Sequence, residues 1–208
     1  MGIFDFFKSK GTKIDAFGYC DELFEQGKYQ EAIRVLDIAI DTDPTNWYSY
    51  FRKGKCYQFM NNFHKAIDEY KKGLRFDECF DLYRGIGECY LMTEQWLSGK
   101  NALLKSYSLL LDLERGPSSN IVNINIIPND KANILNNLAI ALFNLGEIQD
   151  AIKYSETGIK FDPNFAGNYR ILGTILLDTT DYTEGIKLLK KAVSLGDEMA
   201  KTILNDLI

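Results

Sequence analysis

Apolar residues along most of the chain recur at intervals of three and four, the spacing that places them on one face of an α-helix. Short turns that contain Gly or Asn interrupt these stretches, as at Gln26-Gly27-Lys28 and Leu145-Gly146-Glu147. The pattern predicts pairs of amphipathic helices joined by tight turns, and therefore an all-α protein.

Small residues return along the chain at a nearly constant distance, which indicates an internal repeat. One set lies 34, 33, 52 and 34 residues apart, at Ala32, Ala66, Gly99, Ala151 and Gly185. A second set lies twelve residues before the first, at Cys20, Gly54, Gly87, Ala139 and Gly173. Because small side chains let two helices approach closely, we predict five helix pairs.

The one long interval places an insertion at about 113–131. The second half of this insertion alternates Asn with Ile and Val, a pattern that predicts an extended segment. After the last pair, residues 198–208 continue with apolar residues at helical spacing and are expected to form a capping helix. Residues 1–12 form a separate apolar segment that contains Phe4, Phe6 and Phe7.

The repeat resembles the tetratricopeptide repeat, a helix–turn–helix unit of 34 residues with small and aromatic residues at set positions. The resemblance covers residues 13–197 and implies a right-handed α-solenoid of five repeats. Asp43-Pro44 and Asp162-Pro163 match the Pro that closes a repeat. The chain departs from the family pattern at four other positions. These are Lys53 in place of Leu, Glu78 and Leu111 in place of the closing Pro, and Ser155 in place of an aromatic residue.

Charge and composition narrow the classes of partner. The 208 residues include 24 Lys and Arg against 29 Asp and Glu, a net charge of −5 that argues against nucleic acid as a partner. No stretch approaches the ~20 apolar residues that cross a bilayer, and the N-terminus lacks a signal-peptide pattern. With four cysteines and no CxxC pair, the chain is predicted to be cytoplasmic with reduced thiols.

Candidate catalytic or metal-binding groups are few. His64, the only histidine, is expected on the outer surface of a second helix. Cys56 and Cys89 occupy equivalent positions in neighbouring repeats and are expected to be small core residues. Since no metal-ligand cluster or phosphate-binding loop is present in the sequence, we predict no catalysis and no cofactor.

The family resemblance implies a non-catalytic protein–protein interaction scaffold or adaptor. In the family, the first helix of each repeat lines a concave groove that binds a peptide or helix of another protein. On this chain the corresponding residues are Phe17, Asp21, Tyr48, Phe51, Arg52, Lys55, Phe59, Arg84, Glu88, Asn133, Asn136, Asn137, Asn144 and Arg170.

Two groups among these residues suggest different chemistry. Arg52, Lys55 and Arg84 could bind an acidic side chain or a terminal carboxylate, or could be paired with nearby carboxylates such as Asp81 and Glu88. The four asparagines could hydrogen-bond a peptide main chain, or could simply form a polar surface.

The two-carboxylate clamp of chaperone adaptors does not fit the first three repeats. The clamp needs Lys and Asn in the first repeat, where this chain has Phe17 and Asp21. It needs Asn in the second repeat, where the chain has Arg52. It needs Lys and Arg in the third repeat, where the chain has Asp81 and Gly85. Two alternatives to groove binding remain. One is self-assembly through the insertion or the N-terminal segment, and the other is peripheral membrane attachment through the N-terminal Phe cluster.

Overall fold

A computed structural model describes residues 16–115, 126–179 and 181–207. In these ranges every regular element is an α-helix, and the chain divides into two compact units, Met1–Cys89 and Tyr90–Ile208. Successive helices form antiparallel pairs, so the fold is an α-solenoid of helix–turn–helix repeats, as predicted.

Unit 1 contains four whole helices and most of a fifth. They are α1 (Ala16–Glu25), α2 (Tyr29–Thr42), α3 (Trp47–Phe59), α4 (Phe63–Gly73) and α5 (Phe80–Met92). Unit 2 takes the last residues of α5 and six further helices. They are α6 (Trp96–Arg115), α7 (Ile126–Asn144), α8 (Ile148–Phe161), α9 (Ala166–Thr179), α10 (Tyr182–Ser194) and α11 (Glu198–Asp206).

The small residues of the repeat are buried. This holds at all ten of the positions predicted from the spacing. Helices α9 and α10 approach closely, since a Cβ atom added to Gly173 would lie 3.0 Å from the Gly185 carbonyl oxygen. The prediction that these residues bring helices together is therefore confirmed.

The turns inside four repeats use one backbone conformation. Gly27, Asn61, Glu94 and Gly146 occupy equivalent positions and have φ angles of 71°, 56°, 56° and 76°. After each of them, a main-chain N–H reaches back across the turn, as from Lys28 to the Leu23 carbonyl at 2.8 Å. Glycine adopts this left-handed conformation without steric cost and Asn tolerates it, which explains the Gly and Asn in the sequence pattern.

The predicted extended segment is partly wrong. Residues 113–115 are the last turn of α6, and residues 126–131 are the first turns of α7, while residues 116–125 lie outside the described ranges. Pro128 falls in the first turn of α7, where main-chain N–H groups have no intrahelical partner and Pro is tolerated. Helix α7 therefore begins inside the segment that the alternation of Ile and Asn predicted to be extended.

Helix α11 packs against the preceding pair. Ala200 is fully buried and contacts the cluster that contains Leu189 and Ala192, with Ile203 and Leu204 at its edge. The apolar N-terminal segment, residues 1–12, lies outside the described residues.

Candidate partner-binding surface

The first helices of unit 1 share one continuous surface, which we call the unit 1 face. It is formed by the predicted residues of α1, α3 and α5, and direct contacts connect the three helices. Phe17 of α1 meets Tyr48 of α3 with ring centroids 5.1 Å apart, and Phe24 meets Phe59 at 4.7 Å. The structure therefore brings the predicted residues of the first three repeats together.

Aromatic rings make up much of the unit 1 face. Tyr48 stacks on Phe51 at 5.9 Å, and Phe51 in turn reaches the ring of Tyr70 at 6.0 Å. Phe59 is 52% exposed, although Phe24 and Tyr29 both contact it. An exposed aromatic ring beside others is the kind of surface that anchors protein partners.

Two of the three cations on the face are held by carboxylates of the same chain. Arg52 forms an ion pair with Asp21 and lies over the rings of Phe24 and Tyr48, at 5.8 and 5.9 Å. Arg84 pairs with Asp81 at 2.5 Å on the same helix. Of the two interpretations of the basic cluster, the structure shows local pairing for both arginines.

Lys55 is held more loosely than the arginines. Its Nζ is 3.6 Å from Glu88 Oε2 and 5.9 Å from the centre of the Phe59 ring, and its side chain is 30% exposed. The firm contact of Glu88 is instead with Gln58, whose Nε2 donates to Glu88 Oε2 at 2.9 Å. Lys55 and Glu88 are thus neighbours without a hydrogen bond between them.

Gln58 connects the face to the core of unit 1. Its Oε1 accepts a hydrogen bond from the Tyr70 hydroxyl at 2.8 Å, and Tyr70 is fully buried. Burial raises the pKa of Tyr70, so its hydroxyl stays a donor at neutral pH. Neither residue was predicted for the site. The only sequence signal is that Gln58 follows Lys55 by three residues, which places both on one side of α3.

Tyr70 is held between two glycines on neighbouring first helices. A Cβ atom added to Gly85 would lie 2.6 Å from the Tyr70 ring, and one added to Gly54 would overlap it as well. Gly85 is also where a two-carboxylate clamp would need Arg. The close approach of the Tyr70 ring gives a physical reason for rejecting that clamp.

The predicted asparagines of unit 2 differ in accessibility. Along α7, Asn136 donates to Asn137 at 3.2 Å and Asn137 donates to Asn133 at 3.3 Å. Asn136 is only 6% exposed, while Asn144 is exposed and donates to the Ile140 carbonyl of its own helix. Asn133 and Asn137 are thus the two members of this row that combine mutual hydrogen bonding with partial exposure.

Arg170, the last of the predicted groove residues, ties α9 to the turn before α11. Its Nε donates to Asp197 Oδ2 at 2.9 Å, and the two side chains are only 18% and 12% exposed. Asp197 also caps α11 by accepting from the Ala200 N–H. The arrangement gives Arg170 a role in holding these elements together.

The cysteines and His64 were the remaining candidates for catalysis or metal binding, and they lie in the core or at the surface. Cys20, Cys56 and Cys89 are buried and Cys79 is half-buried, and all four are free thiols. Burial raises the pKa of Cys56 to about 11 and that of Cys89 to about 12, which keeps both thiols neutral. His64 is exposed, as predicted.

Neither a metal site nor a membrane span is found in the described part of the chain. Across residues 16–115, 126–179 and 181–207, no group of three His, Cys, Asp or Glu side chains is arranged to hold a metal ion. No helix in those ranges has both the length and the hydrophobicity to cross a bilayer.

Comparison with known proteins identifies the repeat. Two models of the tetratricopeptide repeat match the chain, one at residues 48–78 in unit 1 and the other at residues 132–160 in unit 2. No curated protein sequence matches the chain significantly.

Solved structures share the architecture at low sequence identity. MamA is 23% identical, with a TM-score of 0.66 over 88% of this chain and 96% of that one. YrrB, a TPR protein with an unusual peptide-binding site, is 19% identical, with a TM-score of 0.65 over 96% and 94% of the two chains. The pilF protein of Pseudomonas aeruginosa is 15% identical, with a TM-score of 0.71 over 88% and 75%. The matches show that the chain contains tetratricopeptide repeats in both units, and the solved structures share its helical architecture.

Proposed function

We propose that the chain is a non-catalytic interaction scaffold whose unit 1 face binds a peptide or helix of another protein. Tetratricopeptide repeats are generally protein-interaction modules, and the relative YrrB has a peptide-binding site. Because similarity of fold alone does not name a site, the proposal depends on this chain's own surface.

The observation that carries the proposal is the exposed aromatic patch around Phe59. The ring is 52% exposed although it sits among Phe24, Tyr29 and Lys55. Beside it, Tyr29 and Met60 help to line a pocket of about 220 Å³ at the turn after α1. Covering such a patch removes apolar surface from water, which stabilises a complex by about 25 cal/mol per Å² before the cost of association.

A capture experiment from native lysate tests the proposal. Phe59→Ser removes the exposed ring from the face, whereas Phe76→Ser removes a similarly exposed ring that lies between α4 and α5 and stacks on Tyr50. We expect a small set of proteins to bind the wild type and Phe76→Ser but not Phe59→Ser. Circular dichroism and the unfolding midpoint confirm that each variant is folded.

Equal capture by all three proteins would contradict the proposal, because recognition would then lie outside the unit 1 face. Lys55→Glu serves as a second variant, since it changes the charge beside the ring and leaves the ring in place.

A further inference from the structure

An extended peptide and a helix offer a binding surface different main-chain groups. A helix satisfies its own N–H and C=O groups except in its first and last turns. An extended segment presents one N–H and one C=O at every residue except Pro. Unused donors and acceptors on a binding surface therefore favour an extended occupant.

Lys55 of the unit 1 face lies within ion-pair distance of Glu88 but donates no hydrogen bond to a described residue. Its ammonium group carries three N–H bonds, and at 3.6 Å from Glu88 Oε2 it is beyond hydrogen-bond distance. Among the described residues Lys55 makes no hydrogen bond, and its side chain is 30% exposed.

Glu88 is an oriented acceptor next to that donor. Its hydrogen bond with Gln58 and its approach to Lys55 both involve Oε2, so within the described residues Oε1 has no partner. The carboxylate is 19% exposed and therefore reaches solvent. Two hydrogen bonds fix the orientation of the Glu88 carboxylate, because the buried Tyr70 orients Gln58 and Gln58 orients Glu88.

We propose that Lys55 and Glu88 together clamp the main chain of one residue in an extended partner segment. Lys55 Nζ donates to the carbonyl oxygen of that residue, and Glu88 Oε1 accepts its N–H. In antiparallel sheets, one residue likewise uses its N–H and C=O together on a single neighbour. The inference rests on the proposed function and narrows its partner to an extended peptide.

The clamp should bind peptides of many different sequences. The pair has no net charge, and every residue except Pro offers the same N–H and C=O groups, so the clamp selects a main chain and not a side chain. The exposed Phe59 ring, 5.9 Å from Lys55 Nζ, is placed to contact an apolar side chain close to the clamped residue.

The test uses a random library of 12-residue peptides displayed on phage and selected on the full chain. Selected peptides are synthesised with each main-chain N–H in turn replaced by N–CH₃. We expect one replacement to weaken binding to the wild type about tenfold, the effect of losing one hydrogen bond to a charged group. The same replacement should weaken binding to Glu88→Met by less than about threefold, because the acceptor is already gone.

The carbonyl partner is tested by replacing single amides with esters, which weakens the carbonyl as an acceptor. The effect at one position should be large for the wild type and small for Lys55→Met. Asp68→Ala, which changes an exposed carboxylate on α4, serves as the control and should behave like the wild type in both scans.

Three outcomes would overturn the clamp. In the first, peptides require Phe59 but no N-methyl position couples to Glu88, so the proposed function stands and the clamp is wrong. In the second, the selected peptides bind as helices, seen as helical circular dichroism on binding and loss of binding when Pro is placed centrally. In the third, no selected peptide depends on Phe59, and the proposed function then fails together with the clamp.

Discussion

Tyr70 organises unit 1 at the scale of single residues. Its ring fills the space that Gly54 and Gly85 leave open on neighbouring first helices, and its hydroxyl orients Gln58 at the edge of the unit 1 face. One buried side chain thus joins the packing of adjacent repeats to the geometry of the candidate site. Glycine at these two helical positions costs helix propensity, and the close approach of the ring is the compensating gain.

Gly85→Ala is expected to destabilise the protein even though Ala is the better helix former. The propensity gain is at most about 1 kcal/mol, whereas forcing a methyl group against a fully buried ring costs about 1–3 kcal/mol. We therefore expect the free energy of unfolding, measured in urea, to fall by about 1–2 kcal/mol. In a Tyr70→Leu background the clash is relieved, so the same substitution should be neutral or stabilising by up to about 1 kcal/mol, and a stabilised Gly85→Ala single variant would contradict this account.

Departures from the family pattern are compensated residue by residue. Lys53 stands where Leu is usual, and its Nζ pairs with Asp37 at 2.7 Å and with the buried Glu69 at 3.4 Å. Burial alone would lower the pKa of Lys53, but the hydrogen bond to Asp37 and the two nearby carboxylate charges raise it. Ser155, in place of an aromatic residue, is buried and donates to the Ala151 carbonyl at 2.8 Å. The sequence shows the departures, but their partners become visible only in three dimensions.

The buried thiols of Cys56 and Cys89 make stability depend on alkaline pH. Burial raises their pKa to about 11 and about 12, above the value of 9.0 of an exposed thiol. Because the folded pKa is the higher one, the stabilisation is complete below pH 9 and is lost as the pH rises toward 11. We expect the double variant Cys56→Ala/Cys89→Ala to lose less unfolding free energy than the wild type between pH 8 and pH 10. Equal losses in the two proteins would contradict the prediction.

At the scale of helices, a closing Pro marks the end of the second helix in two repeats. Asp43-Pro44 and Asp162-Pro163 directly follow the ends of α2 and α8, consistent with the poor fit of Pro inside a helix. Leu111 occupies the same position in the third repeat, and α6 continues to Arg115. Hydrophobic spacing therefore predicted the helices well, while the ends around the insertion could not be predicted because its Ile-rich run fits a strand as well as a helix.

Helix α11 carries the features of an end cap. Thr202, Asn205 and Asp206 of α11 are polar and exposed. The equivalent residues one repeat earlier on α9, which are Asn168, Ile171 and Leu172, are buried. The opposite side of α11 buries Ala200 against α10. We propose that α11 covers the preceding repeat as an end cap, because it buries Ala200 on one side and exposes mainly polar residues on the other.

Removal of α11 is expected to weaken unit 2. A chain shortened to end at Asp197 loses the cover over Leu189 and Ala192, so its thermal unfolding midpoint should fall by several degrees. Met199→Ala, which changes a side chain that is 63% exposed, should leave the midpoint almost unchanged. If the shortened chain unfolded at the wild-type temperature, α11 would not be a stabilising cap.

At the scale of the whole molecule, the repeat could be predicted from the sequence, but the charge pairing on the unit 1 face could not. Side-chain spacing placed Arg52, Lys55 and Glu88 on first helices. It could not show that Arg52 is paired with Asp21, or that Glu88 is held by Gln58, 30 residues away. Such pairings depend on how neighbouring repeats pack, and the periodicity of one helix does not contain that information. Of the two interpretations of the basic cluster, they favour a surface with balanced charge.

A face with balanced charge should bind peptides with little dependence on salt. Arg52, Arg84 and Lys55 each lie beside a carboxylate, so the long-range field above the face is weak and salt has little to screen. In fluorescence anisotropy with a peptide selected on the full chain, Kd should change by less than about threefold between roughly 50 and 500 mM NaCl.

The variant Asp21→Asn/Asp81→Asn removes the counter-charges of both arginines, and it should bind acidic peptides with a clear loss of affinity as salt rises. Strong salt dependence in the wild type would instead mean that the arginines leave their carboxylates to bind the partner. Binding would then begin with the opening of these ion pairs, and the partner would be acidic.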